Sequence, residues 1–305
     1  MAVLKWLEGL RSGLLDQIVL AITNLGDEVC FMVIAVILLW CINKKWGFRL
    51  FGIFFTGITL NEGLKILFQV PRPYVRDPSL TPVAAALDGA SGYSFPSGHT
   101  ATATLTYGSA AAFIRKKWAW VCAAILIAVT MFTRLYLGVH TPADVLVSLM
   151  VASVVVAIFF LLFSIMDKKG IDETRLFFGM LVLAAAATIF VSVYQVGAEI
   201  MADTRADAFK MLGASLGVFV SFMLDRKYIS FDTKALWWQQ LIKLVSGLVI
   251  LILLQTGMKA LFSALSVNLC AANCLRYFIL MFFAGTLWPL TFTLYTRTQP
   301  KVIDK

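Results

Sequence analysis

The chain has 305 residues, of which 60% are hydrophobic and 14% charged, with a mean hydropathy of +0.85 and a formal net charge of +9. An ordinary soluble domain, with about 25% charged residues, is excluded by those proportions. Nucleic-acid binding is excluded too, because the basic residues fall as triplets at the ends of apolar runs, where they set topology and meet anionic lipid headgroups.

Residues 1–22 carry Lys5, Glu8, Arg11 and Asp16 among apolar neighbours. That pattern suits an amphipathic segment lying in the membrane interface over 1–25 better than a cleavable leader. Apolar runs near the length of a bilayer crossing then recur along the chain. They predict spans at 26–43, 47–68, 97–114, 118–137, 143–165, 176–196, 209–224, 239–257 and 275–296. The fold class is therefore all-α, a polytopic membrane helical bundle of about nine transmembrane helices.

Orientation follows from lysine and arginine in the connections. Fifteen lie on one side: Lys44, Lys45, Arg49, Arg115, Lys116, Lys117, Lys168, Lys169, Arg175, Arg226, Lys227, Lys234, Arg297, Lys301 and Lys305. Eight lie on the other: Lys5, Arg11, Arg72, Arg76, Arg205, Lys210, Lys259 and Arg276. The bias places the C-terminus in the cytoplasm and the 70–95 loop outside it. The membrane is the plasma membrane of a bacterium or the endoplasmic reticulum of a eukaryote.

Three polar stretches on that outer side carry chemistry. Lys65 ends the second span, and Pro71 and Pro73 pin Arg72 in an extended segment. An arginine grips a phosphoryl group with two parallel bonds, and a lysine acts as a point charge. The bland alternative has Lys65 snorkelling or paired with Glu62, one turn earlier. Next, Pro96-Ser97-Gly98-His99 opens the third span, with Pro96 at its first position. A helix start offers free N–H groups and a positive dipole end to an anion. Gly98 allows close approach, Ser97 adds a hydroxyl and His99 a titratable nitrogen. Alone, this tetrapeptide is equally an ordinary helix cap with one interfacial histidine. Last, Thr141 caps the fifth span, Pro142 stands at its first position and Asp144 in its first turn. Asp144 lies four residues beyond His140 and can either fix its tautomer or merely complement the helix dipole. Arg134, at the end of the fourth span, weighs against the bland reading, since an arginine there is costly.

Written as K-x6-R-P, P-S-G-H and R-x5-H-x3-D, these stretches resemble the three-part motif of the type 2 phosphatidic acid phosphatase superfamily. Thr133 stands where that family usually has serine, so a hydroxyl is kept. The resemblance covers roughly 26–166 as a catalytic transmembrane core; 167–305 holds further spans with no assigned motif. It implies that His140 attacks phosphorus to form a phosphohistidine, that Asp144 orients it, and that His99 protonates the leaving oxygen and then activates water. It also implies that Lys65, Arg72, Ser97, Gly98 and Arg134 bind the phosphate. No carboxylate cluster suited to a divalent metal accompanies these residues, so neither metal nor cofactor is expected.

The expected partners are the bilayer and a phosphorylated substrate. A lipid phosphate leads, because a site at the ends of spans can receive a headgroup from the membrane. A soluble sugar phosphate, and phosphotransfer to an alcohol, are the alternatives within the enzyme class; nine spans with an external N-terminus are similar to the glucose-6-phosphatase arrangement. A transporter that keeps the anion pocket is the rival outside it. The His99, His140 and Asp144 set argues against that rival, since binding needs only the cations. The 197–210 connection, with Glu199, Asp203, Arg205, Asp207 and Lys210, reads first as a solvated loop and second as a contributor to substrate choice. Cys270 and Cys274 are poorly spaced for a disulfide on one helix.

Overall fold

Long runs of helix-forming apolar residues, punctuated by Asn, Thr-Pro and Gly, produce a chain that is helical almost throughout. A computed structural model of the protein describes residues 1–87, 89, 90, 92–194 and 198–292, the stretch 198–203 by its backbone alone. In chain order the helices are α1 (Ala2–Glu8), α2 (Gly13–Thr23), α3 (Glu28–Ile37), α4 (Lys44–Phe68), α5 (Pro73–Arg76), α6 (Gly98–Ile114), α7 (Lys117–Tyr136) and α8 (Pro142–Lys169). They continue as α9 (Thr174–Val193), α10 (Ala198–Leu224), α11 (Trp237–Ala264), α12 (Leu269–Phe282) and α13 (Trp288–Leu290). Wider π turns extend α3 through Leu38–Ile42 and α10 through Asp225–Ile229, and link α12 to α13 through Phe283–Leu287.

Seven helices among the described residues are long and apolar enough to cross a membrane, and an eighth span arises if Gly13–Gly26 and Glu28–Ile42, bent by 45°, form one. The expected nine are not reached. The expected span 97–114 is α6, with 17 residues and a threonine at 100, 102, 104 and 106. Twelve of those residues are buried, so the bundle rather than lipid surrounds them. The ends of the expected spans 176–196 and 275–296, and Arg297, Lys301 and Lys305, lie outside the described residues.

The second correction concerns 197–210, read above as a connection: from Ala198 onward the chain is helical, as the start of α10. Its charged residues interrupt the apolar run and mask the helix. Alanines 198, 202, 206 and 208, with no glycine between Ala198 and Gly213 and no proline, favour it.

α4 stands at the centre, buried continuously from Gly47 to Thr59. Phe31 of α3 stacks on Phe54 with centroids 3.4 Å apart, and Phe177 of α9 stacks on Phe222 of α10 at 4.2 Å. α6 approaches α4 where Gly57 faces Leu105; a Cβ on Gly57 would meet Leu105 Cδ2 at 2.4 Å. At one end of the bundle, charged residues from four elements converge. Arg49, fully buried in the second turn of α4, donates to Asp167 of α8 at 2.9 Å and to Glu173 before α9 at 3.1 Å. Lys44 pairs with Asp225 at 3.0 Å. The three motif stretches meet at the opposite end.

Candidate active site

The α4 helix closes on Gln69 in the left-handed conformation, φ 48°, which leaves Lys65 in its last turn. Lys65 Nζ lies 2.7 Å from Glu62 Oε1, as the bland reading required, yet the same amine reaches the start of α6, 3.5 Å from where a Cβ on Gly98 would stand. Arg72 precedes α5 and is buried. Its Nη1 donates to the Val139 carbonyl at 3.1 Å and approaches His140 Nε2 at 2.9 Å; its Nε donates to Gly92 O at 3.2 Å. An arginine has no acceptor atom, so Nε2 of His140 must carry a lone pair.

Asp144 caps its helix and stands beside His140. It forms a capping box with Thr141, accepting from Thr141 N at 2.7 Å while its own N–H meets Thr141 Oγ1 at 3.3 Å. It also lies 3.6 Å from His140 Nδ1, an ion-pair separation rather than a hydrogen bond. The closer partner is Ser94, which donates to Asp144 Oδ2 at 2.5 Å and sits 3.5 Å from His140 Nδ1. Burial first, and the Arg72 guanidinium next, hold the His140 imidazole well below its ordinary value of 6.5; Asp144 opposes both but does not outweigh them.

Ser97, rather than Pro96, caps α6: its hydroxyl accepts from Thr100 N at 3.4 Å and from Thr100 Oγ1 at 3.1 Å. Pro96 stands one residue before that cap. Wholly buried, Ser97 fastens α6 to α8 through its backbone, accepting from Ser148 Oγ at 2.6 Å and donating to Asp144 O at 3.1 Å.

A cavity of about 450 Å³ lies beside this core. Lys65, Arg72, Gly98, His99, Arg134 and His140 line it; Ser97 and Asp144 stand behind its wall. Arg134 is 2% exposed. Its Nη1 donates to Thr23 Oγ1 at 3.1 Å, while Nε and Nη2 have no partner among the described residues. A buried guanidinium with two unmatched donors on a cavity wall can receive an anion, since leaving them unpaired is costly. The imidazole of His99 also faces the cavity, and no hydrogen bond to its ring occurs among the described residues. Thr133 turns away, bonding Thr23 Oγ1 at 3.0 Å and Thr130 O at 2.7 Å.

Sequence reasoning missed Thr23, Ser94 and the Val139 carbonyl. Each is an isolated polar group in an unremarkable context, and tertiary contact alone gives it a partner. It also left Asp207 and Lys210 in solvent, whereas both line the cavity with Glu28, Glu62 and Asp27.

Comparison with known proteins bears on this arrangement. Residues 46–168, which hold all three motif stretches, match the family described as the PAP2 superfamily. The chain is 33% identical over 168 residues to undecaprenyl-diphosphatase BcrC of Bacillus subtilis (strain 168), covering 52% of this chain and 81% of that protein. The chain belongs to the PAP2 superfamily. Residues 209–299 match a second description, the PAP2 superfamily phosphatase transmembrane extension. Phosphatidylglycerophosphatase B of the same Bacillus strain is 29% identical over 177 residues, 54% of this chain and 78% of that relative. An undecaprenyl-diphosphatase of Sulfolobus acidocaldarius is 28% identical over 145 residues, 46% of this chain and 66% of that relative. No solved structure matches the chain. This PAP2 protein is thus an integral membrane phosphatase, with a helical extension beyond its family core.

Proposed function

We propose that this PAP2 phosphatase hydrolyses a lipid phosphate or diphosphate through a phosphohistidine, with its cavity open to the extracytoplasmic side. The observation that carries the reading is Arg134, buried with two unmatched donors in the wall that also holds Arg72, Lys65, His99 and His140. Three relatives named as phosphatases of lipid-linked phosphates support the substrate class. The lysine and arginine bias of the connections supports the orientation.

The chemistry runs from atoms already in place. His140 is neutral, with its Nε2 lone pair turned toward Arg72. An arriving phosphate takes over the Arg72 donors, and its equatorial oxygens also meet Arg134, Lys65 and the N–H groups at the start of α6. Nε2 then attacks phosphorus, and the bond to the leaving oxygen breaks as His99 donates a proton to it. In the second half His99 takes a proton from water, the oxygen attacks phosphorus, and the P–N bond returns its electrons to Nε2. Asp144, held by Ser94 and Thr141, stabilises the positive charge that His140 carries in between. Binding by arginines, lysine and backbone N–H groups asks for no metal.

Brief incubation of the purified protein with a 32P-labelled lipid phosphate, followed by quenching at alkaline pH, tests this. The expected result is acid-labile label on a peptide containing His140, turnover that survives EDTA, and loss of several orders of magnitude of activity in His140→Ala. Unchanged turnover in a folded His140→Ala protein overturns the mechanism.

A further inference from the structure

The cavity has a second wall that the phosphate chemistry leaves unused. It carries Asp27, Glu28, Glu62 and Asp207, and Asp207 reaches it on α10, near the start of the transmembrane extension. Three of these carboxylates have work elsewhere. Glu28 pairs with Lys210 at 2.5 Å, Glu62 with Lys65 at 2.7 Å, and Asp27 accepts the Glu28 N–H at the start of α3 at 2.6 Å. The two nearest cations, Lys65 and Lys210, are thereby engaged. Asp207 is half-buried and has neither hydrogen bond nor ion pair among the described residues. It also borders an adjoining cavity of about 680 Å³, lined by Lys259, Ser263, Ser266, Asn273 and Arg276 of the extension. A half-buried carboxylate on a cavity wall, with no donor among the described residues, is free to take one from a bound molecule.

We propose that Asp207 is a specificity-determining residue, receiving a hydrogen-bond donor, an ammonium or a hydroxyl, on the alcohol part of the phosphate ester. The geometry fits a ligand of two ends. Its phosphate lies against Arg72, Arg134 and His140, and its leaving group points to the acidic wall and on toward the adjoining polar cavity. Among phosphate esters, those with an amine or hydroxyl near the phosphorus are therefore favoured over plain alkyl esters. The inference rests on the phosphatase reading above and narrows its substrate class.

The test compares a 2-aminoalkyl phosphate with the alkyl phosphate of the same chain length, on the purified full chain. Wild-type protein is expected to show the higher kcat/KM on the amine. Asp207→Asn lowers the ratio of the two kcat/KM values by about tenfold, the order expected for a hydrogen bond to a charged group. Asp207→Glu, which keeps the carboxylate, restores most of the ratio and guards against a mere folding defect. An unchanged ratio in Asp207→Asn, with both esters still hydrolysed, overturns the role of Asp207 and leaves the phosphatase reading standing. Hydrolysis of neither ester by wild-type protein overturns both.

Discussion

The imidazole of His140 is buried against a guanidinium, and both features favour its neutral form. Its pKa is depressed, so as pH falls it stays unprotonated past the point where a free histidine would take up its proton. The acid limb of kcat/KM is therefore expected below pH 6.5, with activity retained at pH 6. Stability carries the same sign. The unfolded chain protonates this histidine near 6.5 and the folded chain does not, so folding stability drains away as pH drops below that value. A profile over pH 4–8 of the purified protein checks the first statement; an acid limb above 6.5 contradicts it. Ser94 offers a second test. It donates to Asp144 but does not line the cavity, so Ser94→Ala is expected to lower kcat about tenfold with KM little changed, the loss of one hydrogen bond to a charge. A shift confined to KM would place Ser94 against the substrate instead.

Among the elements, α10 and α12 pack closely. A Cβ on Gly213 would stand 2.0 Å from Cys274 O, and one on Gly217 2.7 Å from Phe278 O. Backbones that near leave no space for a side chain, which is the logic of small residues four apart in membrane helices. Gly213→Leu is expected to force the pair apart at a cost of about 1–3 kcal/mol, read as a lower unfolding temperature in detergent. Because Asp207 rides on the same helix, the substrate preference should shift as well. The spacing of Gly213 and Gly217 carries that signal, which the sequence reading passed over. The start of α10 was not legible: hydropathy windows register Glu199, Asp203 and Arg205 as an interruption, although alanine-rich local sequence favours helix there. One cap was plainer, because Thr141-Pro142 announces the start of α8 by local chemistry alone. Pro96 misled by two residues, since Ser97 takes the cap and Gly98 the first helical position.

For the whole molecule, two ends of unlike chemistry stand out. One holds the cavity and the other the Arg49 network, which ties α4 to α8 and to the turn before α9. Arg49→Ala is expected to cost about 1–3 kcal/mol, because buried Glu173 would keep only Lys45, an exposed lysine 3.4 Å away. A second change, Glu173→Gln, should return part of that loss in thermal unfolding; no recovery would mean that the arginine acts by packing alone. The orientation of the two ends is open to labelling. In a cysteine-free variant, cysteine at exposed Ser79 is expected to react with a membrane-impermeant maleimide in intact cells or sealed vesicles of known sidedness, and cysteine at exposed Lys168 only after permeabilisation. The reverse pattern would invert the protein in its membrane. That the motif stretches share one end was readable from their places at the ends of successive apolar runs. The partners Ser94, Thr23 and Asp207 were not, since each acquires its neighbours through contacts of long sequence separation.

α6, the helix that begins at the catalytic pocket, has consequences for biogenesis. With 17 residues and four threonines, it makes a poor independent passenger into lipid, and it gains a suitable surrounding only beside α4, α7 and α8. Insertion of this segment must wait for its neighbours. A half-made chain therefore lacks Gly98 and His99 at the cavity wall, and turnover becomes a readout of completed assembly.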